Sequence, residues 1–421
     1  MNMFAIPSDI LEMSNEAIRL CKDSFLKAEE ITEYNQQKVL KAFIDERVSE
    51  SHFAASTGYG YGDRGRETLE RVFARIMGAE DALIRHSFVS GTHALTVALF
   101  GVLRPGDKVL AVTGKPYDTI QPVFGLSPAS GSLKEFGVMY DEIILKNNHV
   151  DIPAMTEYLN NQTVKMVYIQ RSRGYTLRPS LFVSQIGEII KTVKATSPQT
   201  IVMVDNCYGE FVDTIEPTDV GADLMAGSLI KNPGGGIAPT GGYIAGRRDL
   251  VEMCANRMTT PGIGREVGAT LGHSRELFMG LFHAPHVTGE AVKTAIYAAA
   301  LFEKCGYDVA PKYTQPRGDI IQSVCLKEPN ALIAFCQGIQ SGAPVDAFVV
   351  PEPWDMPGYD SKVIMAAGAF TMGASIELSA DAPLREPYAA FMQGGLNFHS
   401  SKAAILLAVK KLMEQGFINR T

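Results

Sequence analysis

Between residues 82 and 245 the chain alternates short apolar runs with longer stretches whose apolar residues recur at helical spacing, and this rhythm constrains the fold more than any other feature. Residues 82–88, 109–112, 142–145, 164–169, 201–204, 224–228 and 243–245 read as strands, and 152–159 and 181–195 as helices between them. Repeated βα units predict an α/β protein with a largely parallel sheet covered by helices on both faces. Ahead of this region, residues 14–50 carry helical spacing. A helical arm is therefore expected over 1–50 and a large domain over 51–285. A linking helix (286–305) and a smaller C-terminal domain (306–421) are expected to follow. That domain has strand-like runs at 323–326, 347–350 and 375–378 and a closing helix at 401–414. Residues 253–265 and 273–285 show no clear period.

Ligands in such sheets bind beyond the carboxyl ends of the strands, where Ser90, Arg171, Asp205 and Lys231 are expected. Lys231 follows an apolar run and precedes Pro233 and three glycines. Burial there should disfavour its ammonium form and leave more nucleophilic amine, as Schiff-base chemistry requires. Asp205 ends a neighbouring apolar run, so its carboxylate leaves the tip of a strand. A strand, the turn Ser90-Gly91-Thr92 and a helix start bring free backbone N–H groups together with a positive helix end, which suits a phosphate. Taken singly, Lys231 reads as a surface lysine and Asp205 as a cap or turn residue. Together and in this order they match the handles of pyridoxal phosphate: an amine for its aldehyde, a carboxylate for its ring nitrogen and a cradle for its phosphate.

Composition narrows the partners. A net charge of −7 argues against nucleic-acid binding and against a polybasic membrane anchor. The first residues lack a secretory pattern, and no apolar window is long enough to span a bilayer. Six cysteines without CxxC spacing suggest reduced thiols and a cytoplasmic location, and the eight histidines show no metal-ligand spacing.

The set Ser90-Gly91-Thr92, Tyr117, Asp205-Asn206 and Ser228-Leu229-Ile230-Lys231 resembles fold-type I pyridoxal-phosphate enzymes of cysteine and methionine metabolism, the cystathionine lyase and methionine gamma-lyase group. Three stretches narrow the resemblance to its aluminium-resistance branch of carbon–sulfur lyases. They are Thr57-Gly58-Tyr59-Gly60-Tyr61, Gln170-Arg171-Ser172-Arg173-Gly174-Tyr175 and Val204-Asp205-Asn206-Cys207-Tyr208-Gly209-Glu210-Phe211. The resemblance implies a mostly parallel seven-stranded sheet flanked by helices and a smaller α+β C-terminal domain. It implies that Lys231 binds the cofactor and shuttles a proton, that Asp205 holds the ring nitrogen, and that Tyr117 stacks on the ring and acts as acid or base. Ser90, Gly91, Thr92 and Ser228 would then hold the phosphate.

The sequence departs from the parent pattern at three places. Tyr59 is followed by Gly60-Tyr61, where a Tyr-x-Arg pair would reach a neighbouring subunit's phosphate; Tyr61, Arg64 or Arg66 are the possible substitutes. Ile230 replaces a phosphate-binding threonine. Glu377-Leu378-Ser379 stands where an Arg-Leu-Ser stretch would bind the substrate carboxylate, leaving Arg171, Arg173 and Arg385 as candidates for that role. The expected activity is elimination of a thiol from a cystathionine-, methionine- or cysteine-type amino acid, in a homodimer or homotetramer with shared sites. An aminotransferase or aldolase on the same fold, or a cofactor-binding protein of low turnover, is the alternative.

Overall fold

The computed structural model describes residues 2–356 and 361–418. The arm is one helix, α1 (Ser8–Asp45), whose buried side chains Ile10, Ser14, Ala17 and Cys21 recur every three or four residues. After the Gly-rich loop comes α2 (Arg64–Ile76), capped where the Asp63 carboxylate accepts the Arg66 N–H at 2.9 Å.

Seven strands form the large sheet: β1 (Asp81–Arg85), β2 (Lys108–Ala111), β3 (Met139–Glu142), β4 (Met166–Gln170), β5 (Ile201–Asp205), β6 (Leu224–Ser228) and β7 (Gly242–Gly246). Their order is β1-β7-β6-β5-β4-β2-β3, with β7 alone running against its neighbours. Helices α3 (Gly91–Val102), α4 (Gln121–Phe124) and α7 (Arg248–Met258) cover one face. On the other lie α2, α5 (Ile152–Asn161), α6 (Val183–Thr196) and the first half of α8 (Ser274–Lys304). Strands β4 to β7 are buried along their whole length, which is why they read as unbroken apolar runs.

The second half of α8 carries the smaller unit. There β8 (Asp308–Ala310), β9 (Gln322–Cys325), β10 (Val363–Ala366), β11 (Ser379–Pro383) and β12 (Ala389–Gln393) form an antiparallel sheet in the order β10-β11-β12-β9-β8. It packs with α9 (Pro329–Gln340), α10 (Phe398–Glu414) and the N-terminal half of α1 around a second core.

Four expectations are corrected. The third strand lies at Met139–Glu142 rather than 142–145, because an edge strand with two exposed ends leaves no apolar signature. Residues 347–350 are turn and coil with Phe348 86% exposed, not a strand. Residues 375–378 hold a 3-10 turn at Ser375–Glu377, and the strand begins at Ser379. The unassigned stretch 273–285 belongs to the 31-residue helix α8, which continues through Pro285. Its helical signal is broken by Gly280, and that glycine has a packing reason: a Cβ there would strike the Gly234 carbonyl, and one at Gly235 would strike the Gly280 carbonyl. The glycines after Lys231 thus let the lysine loop lie directly on α8. Among the described residues, no helix is long and apolar enough to cross a membrane.

Candidate active site

The carboxyl ends of β5 and β6, the start of α3 and the edge of the small sheet enclose a cleft of about 320 Å³. Ser90, Gly91, Thr92, Tyr117, Ser228 and Lys231 all line it, so the structure brings together these six residues singled out in the sequence. Asp205 lines the small extension at its floor, with Tyr117, Cys207 and Lys231.

Ser90 caps α3, its hydroxyl accepting the His93 N–H at 3.0 Å, and the helix end opens into the cleft. Gly91 is required by close approach: a Cβ there would stand 2.9 Å from the Ser228 Cβ and 3.5 Å from the Cys207 sulfur. The Thr92 hydroxyl meets that of Thr119 at 2.9 Å, which sets a second hydroxyl beside the turn although Ile230 carries none. Tyr117 is fixed where its N–H donates to Gln170 Oε1 at 2.7 Å, and its ring meets Tyr175 edge-on at 5.6 Å.

Asp205 is buried at the end of β5. Its carboxylate accepts the Cys207 N–H at 3.1 Å and the Tyr168 hydroxyl at 3.3 Å. Burial pushes its pKa up, and the charge of Lys231 works against that shift. The Lys231 amine sits 3.9 Å from the centre of the Tyr208 ring. Here the expected direction is corrected. Burial does pull the lysine pKa down, but the acidic groups gathered around it, Asp205 among them, oppose that pull and hold the ammonium above its usual range. Without a cofactor the lysine is a cation among acids. Cys207 is a buried thiol whose pKa burial drives far up, so it is not a nucleophile.

Of the three arginines proposed for a substrate carboxylate, none lines the cleft. Arg171 is fully buried and bonds Asn206 at 2.8 Å and Glu216 at 3.4 Å; its side chain fills the space over Gly209. It holds the turn that carries Asp205, Cys207 and Tyr208, and Tyr208 and Phe211 there sit at φ of 71° and 62°. Arg173 is 2% exposed and donates to the Ala310 carbonyl at 2.9 Å and to Ser323 at 3.3 Å. Arg385 is exposed, and with Lys115, Arg173 and Arg178 it lines an adjoining cavity of about 360 Å³ that shares Tyr117 and Tyr175 with the cleft. Glu377 staples a loop instead, accepting the N–H groups of Phe370 and Thr371 at 2.8 and 2.9 Å.

Tyr59 and Tyr61 do not reach this chain's cleft. They are 74% and 64% exposed, with ring centres 5.6 Å apart. Arg66 is spent within the chain, donating to the carbonyls of Gly60 and Gly268 at 2.8 Å each, while Arg64 is exposed.

The structure adds residues that the sequence reading missed. Tyr208, Tyr175, Ser375 and Asp381 line the cleft, and the Tyr208 hydroxyl pairs with Ser375 at 2.9 Å. Tyr208 could have been found by its place three residues after Asp205. Tyr175 closes the quoted stretch Gln170–Tyr175, whereas Ser375 and Asp381 lie far from every quoted stretch in sequence. Among the described residues no cluster of ligands suits a metal ion.

The arrangement fits pyridoxal phosphate. A Cβ-free cradle faces a helix N-terminus for a phosphate, and the buried Asp205 carboxyl suits a ring nitrogen. The lysine stands at the cleft, whose volume falls in the usual range of small-molecule sites, about 300–1,000 Å³.

Comparison with known proteins agrees. The family model for methionine gamma-lyase matches residues 10–413. A structure from Clostridium acetobutylicum, described provisionally as a cystathionine beta-lyase involved in aluminum resistance, is 52% identical. It covers 98% of this chain and 97% of its own, with a TM-score of 0.95. The uncharacterized protein YnbB of Bacillus subtilis is 51% identical over 393 residues, 93% of each chain. An L-methionine gamma-lyase of Pseudomonas putida is 26% identical over 228 residues, 53% of this chain and 50% of that protein.

Proposed function

The chain belongs to the methionine gamma-lyase family of cysteine and methionine metabolism, and from that premise we propose that it is a pyridoxal-phosphate-dependent carbon–sulfur lyase. It releases a thiol from a sulfur-containing amino acid and leaves a 2-oxo acid and ammonia. The observation that carries this reading is Lys231, a half-buried cation at the cleft between the Ser90-Gly91-Thr92 turn and Asp205.

When bound, pyridoxal phosphate supplies an aldehyde carbon that takes an amine and a ring that withdraws negative charge from the substrate's Cα. The α3 N-terminus with Ser90, Gly91, Thr92 and Ser228 holds the phosphate. Asp205 keeps a proton on the ring nitrogen, and a ring cation there supplies the countercharge that the buried carboxyl lacks. Tyr117 covers the ring. With the cofactor bound, the Lys231 amine would be the base placed to take the proton from the substrate's Cα. Tyr208, 3.9 Å from the amine, limits where that amine can swing. General acid–base action of this kind supplies about 10² to 10⁴ in rate. For the substrate carboxylate, Arg385 at the adjoining positive cavity is the candidate, with Arg173 behind it. Arg171 is left as a structural residue.

The exposed pair Tyr59 and Tyr61, pinned by Arg66, supports a homodimer or homotetramer in which this loop completes a neighbour's site. The proposed location is the cytoplasm, where six unpaired thiols stay reduced.

The test is the visible spectrum of the purified protein supplied with pyridoxal phosphate, before and after L-cystathionine, in the natural chain and in Lys231→Ala. A band that needs Lys231 and shifts as thiol and 2-oxo acid form supports the lyase. A band indifferent to sulfur amino acids refutes it in favour of an aminotransferase, aldolase or binding role. No band at all refutes the cofactor.

A further inference from the structure

The cleft lining carries a single acid among the described residues. Among the described residues, the charged groups lining it are Lys231 and Asp381. Asp381 sits mid-way along β11, between Ala380 and Ala382. Its carboxylate is held rigidly: the Tyr175 hydroxyl and the Gln393 amide each donate to Oδ2 at 2.9 Å, and Gln393 also donates to the Ser379 hydroxyl at 2.9 Å. Both bonds end on Oδ2. Among the described residues no hydrogen bond reaches Oδ1, and Asp381 lines the cleft.

The carboxylate is anchored through one oxygen and leaves the other without a bond from the described residues. Burial raises its pKa, and the one cation that opposes the shift is Lys231. The proposed chemistry uses that amine, so during turnover the countercharge must come from elsewhere. A neutral side chain such as that of methionine would bury Oδ1 without a partner, at a desolvation cost. A distal carboxylate would set two like charges together. A distal ammonium would give Oδ1 a charge-assisted hydrogen bond.

We propose that Asp381 is a specificity-determining residue that selects sulfur amino acids ending in a cation, as in an S-aminoalkyl cysteine or a thioether that carries a second amino group. This inference rests on the lyase reading for its substrates, but its binding arm does not need turnover.

The experiment compares S-(2-aminoethyl)-L-cysteine, S-propyl-L-cysteine and S-carboxymethyl-L-cysteine on the holoenzyme, by kcat/KM and by Kd from calorimetry, in the natural chain and in Asp381→Asn. A charge-assisted hydrogen bond predicts a preference of about 10- to 100-fold for the aminoethyl compound over the propyl one, with the carboxymethyl compound last. Asp381→Asn should bring the aminoethyl-to-propyl ratio near one. The inference is overturned if the natural chain shows no preference for the cation, or if the preference survives in a folded Asp381→Asn. Should that variant not fold, the ratio in the natural chain alone decides. If no compound is cleaved but the Kd order follows charge and depends on Asp381, the inference stands and the lyase reading falls. If all three are cleaved with equal Kd and equal rates, the lyase reading stands and the inference falls.

Discussion

Arg171 offers the sharpest separation between a substrate-binding and a structural arginine. Replacing it by alanine leaves Glu216, 0% exposed, without its ion-pair partner. Loss of one member of a buried pair typically costs about 3–5 kcal/mol. The lower end applies here, because Glu216 keeps two other donors: the Asn206 amide at 3.0 Å and the Phe211 N–H at 2.9 Å. Unfolding entropy of about 2.1 cal/mol/K per residue, over 421 residues, amounts to about 0.9 kcal/mol/K. A loss of about 3 kcal/mol therefore lowers the thermal midpoint by about 3–4 °C. Scanning calorimetry at a fixed scan rate measures it. Because the turn held by Arg171 carries Asp205 and Tyr208, cofactor affinity should fall as well, while KM for substrate on the cofactor-saturated protein stays near its natural value. Pairing Arg171→Met with Glu216→Gln should restore most of the midpoint, since it removes the lone charge and refills the volume over Gly209. An unchanged midpoint together with a tenfold rise in KM would refute this reasoning and return Arg171 to the substrate.

Three further outcomes follow from the geometry. Gly91→Ala sets a Cβ 2.9 Å from the Ser228 Cβ, and overpacking of about 1–3 kcal/mol should weaken pyridoxal phosphate binding tenfold or more, read by fluorescence titration; an unaltered Kd would remove Gly91 from the cradle. Burial raises the Glu210 carboxyl from 4.5 to about 8, so the folded chain holds a proton there that the unfolded chain releases between those values. The stability this group contributes is full below pH 4.5 and is lost as pH climbs to about 8, so the gain in midpoint of Glu210→Gln over the natural chain should widen across that window and level off above it; a constant difference would contradict the assignment. Finally, if Tyr59 and Tyr61 serve a neighbour's site, mixing Lys231→Ala subunits with a Tyr59→Ala, Tyr61→Ala double variant should recover activity that neither has alone, and no recovery after subunit exchange would confine each site to one chain.

What the sequence made legible is the cofactor end of the site, and the reason is geometric. Ser90, Asp205 and Ser228 lie at or past the ends of β1, β5 and β6 in one sheet, and Lys231 follows within one turn, so each announces itself by following an apolar run. The substrate end carries no such mark. Asp381 lies in the strand Ser379-Ala380-Asp381-Ala382-Pro383, with no large apolar side chain, and it meets Tyr175 across 206 residues of chain. The same blindness to distant partners produced the errors. The direction of the Lys231 pKa was misjudged because the apolar neighbours that desolvate it are adjacent in sequence, whereas the acids that outweigh them are gathered by folding. The ion pair of Arg171 is equally invisible in the sequence, because Glu216 stands 45 residues away. Helix α8 was half hidden because Gly280, which breaks its pattern, exists to let the lysine loop approach. The candidate cofactor residues thus lie where the large sheet orders them locally, and the further cleft residues Ser375 and Asp381 where only the docking of the second sheet brings them to Lys231. Two chains with the same cofactor residues can therefore diverge in substrate through β11 and β12 alone, and changes at Asp381 and Gln393 should move specificity without moving the cofactor.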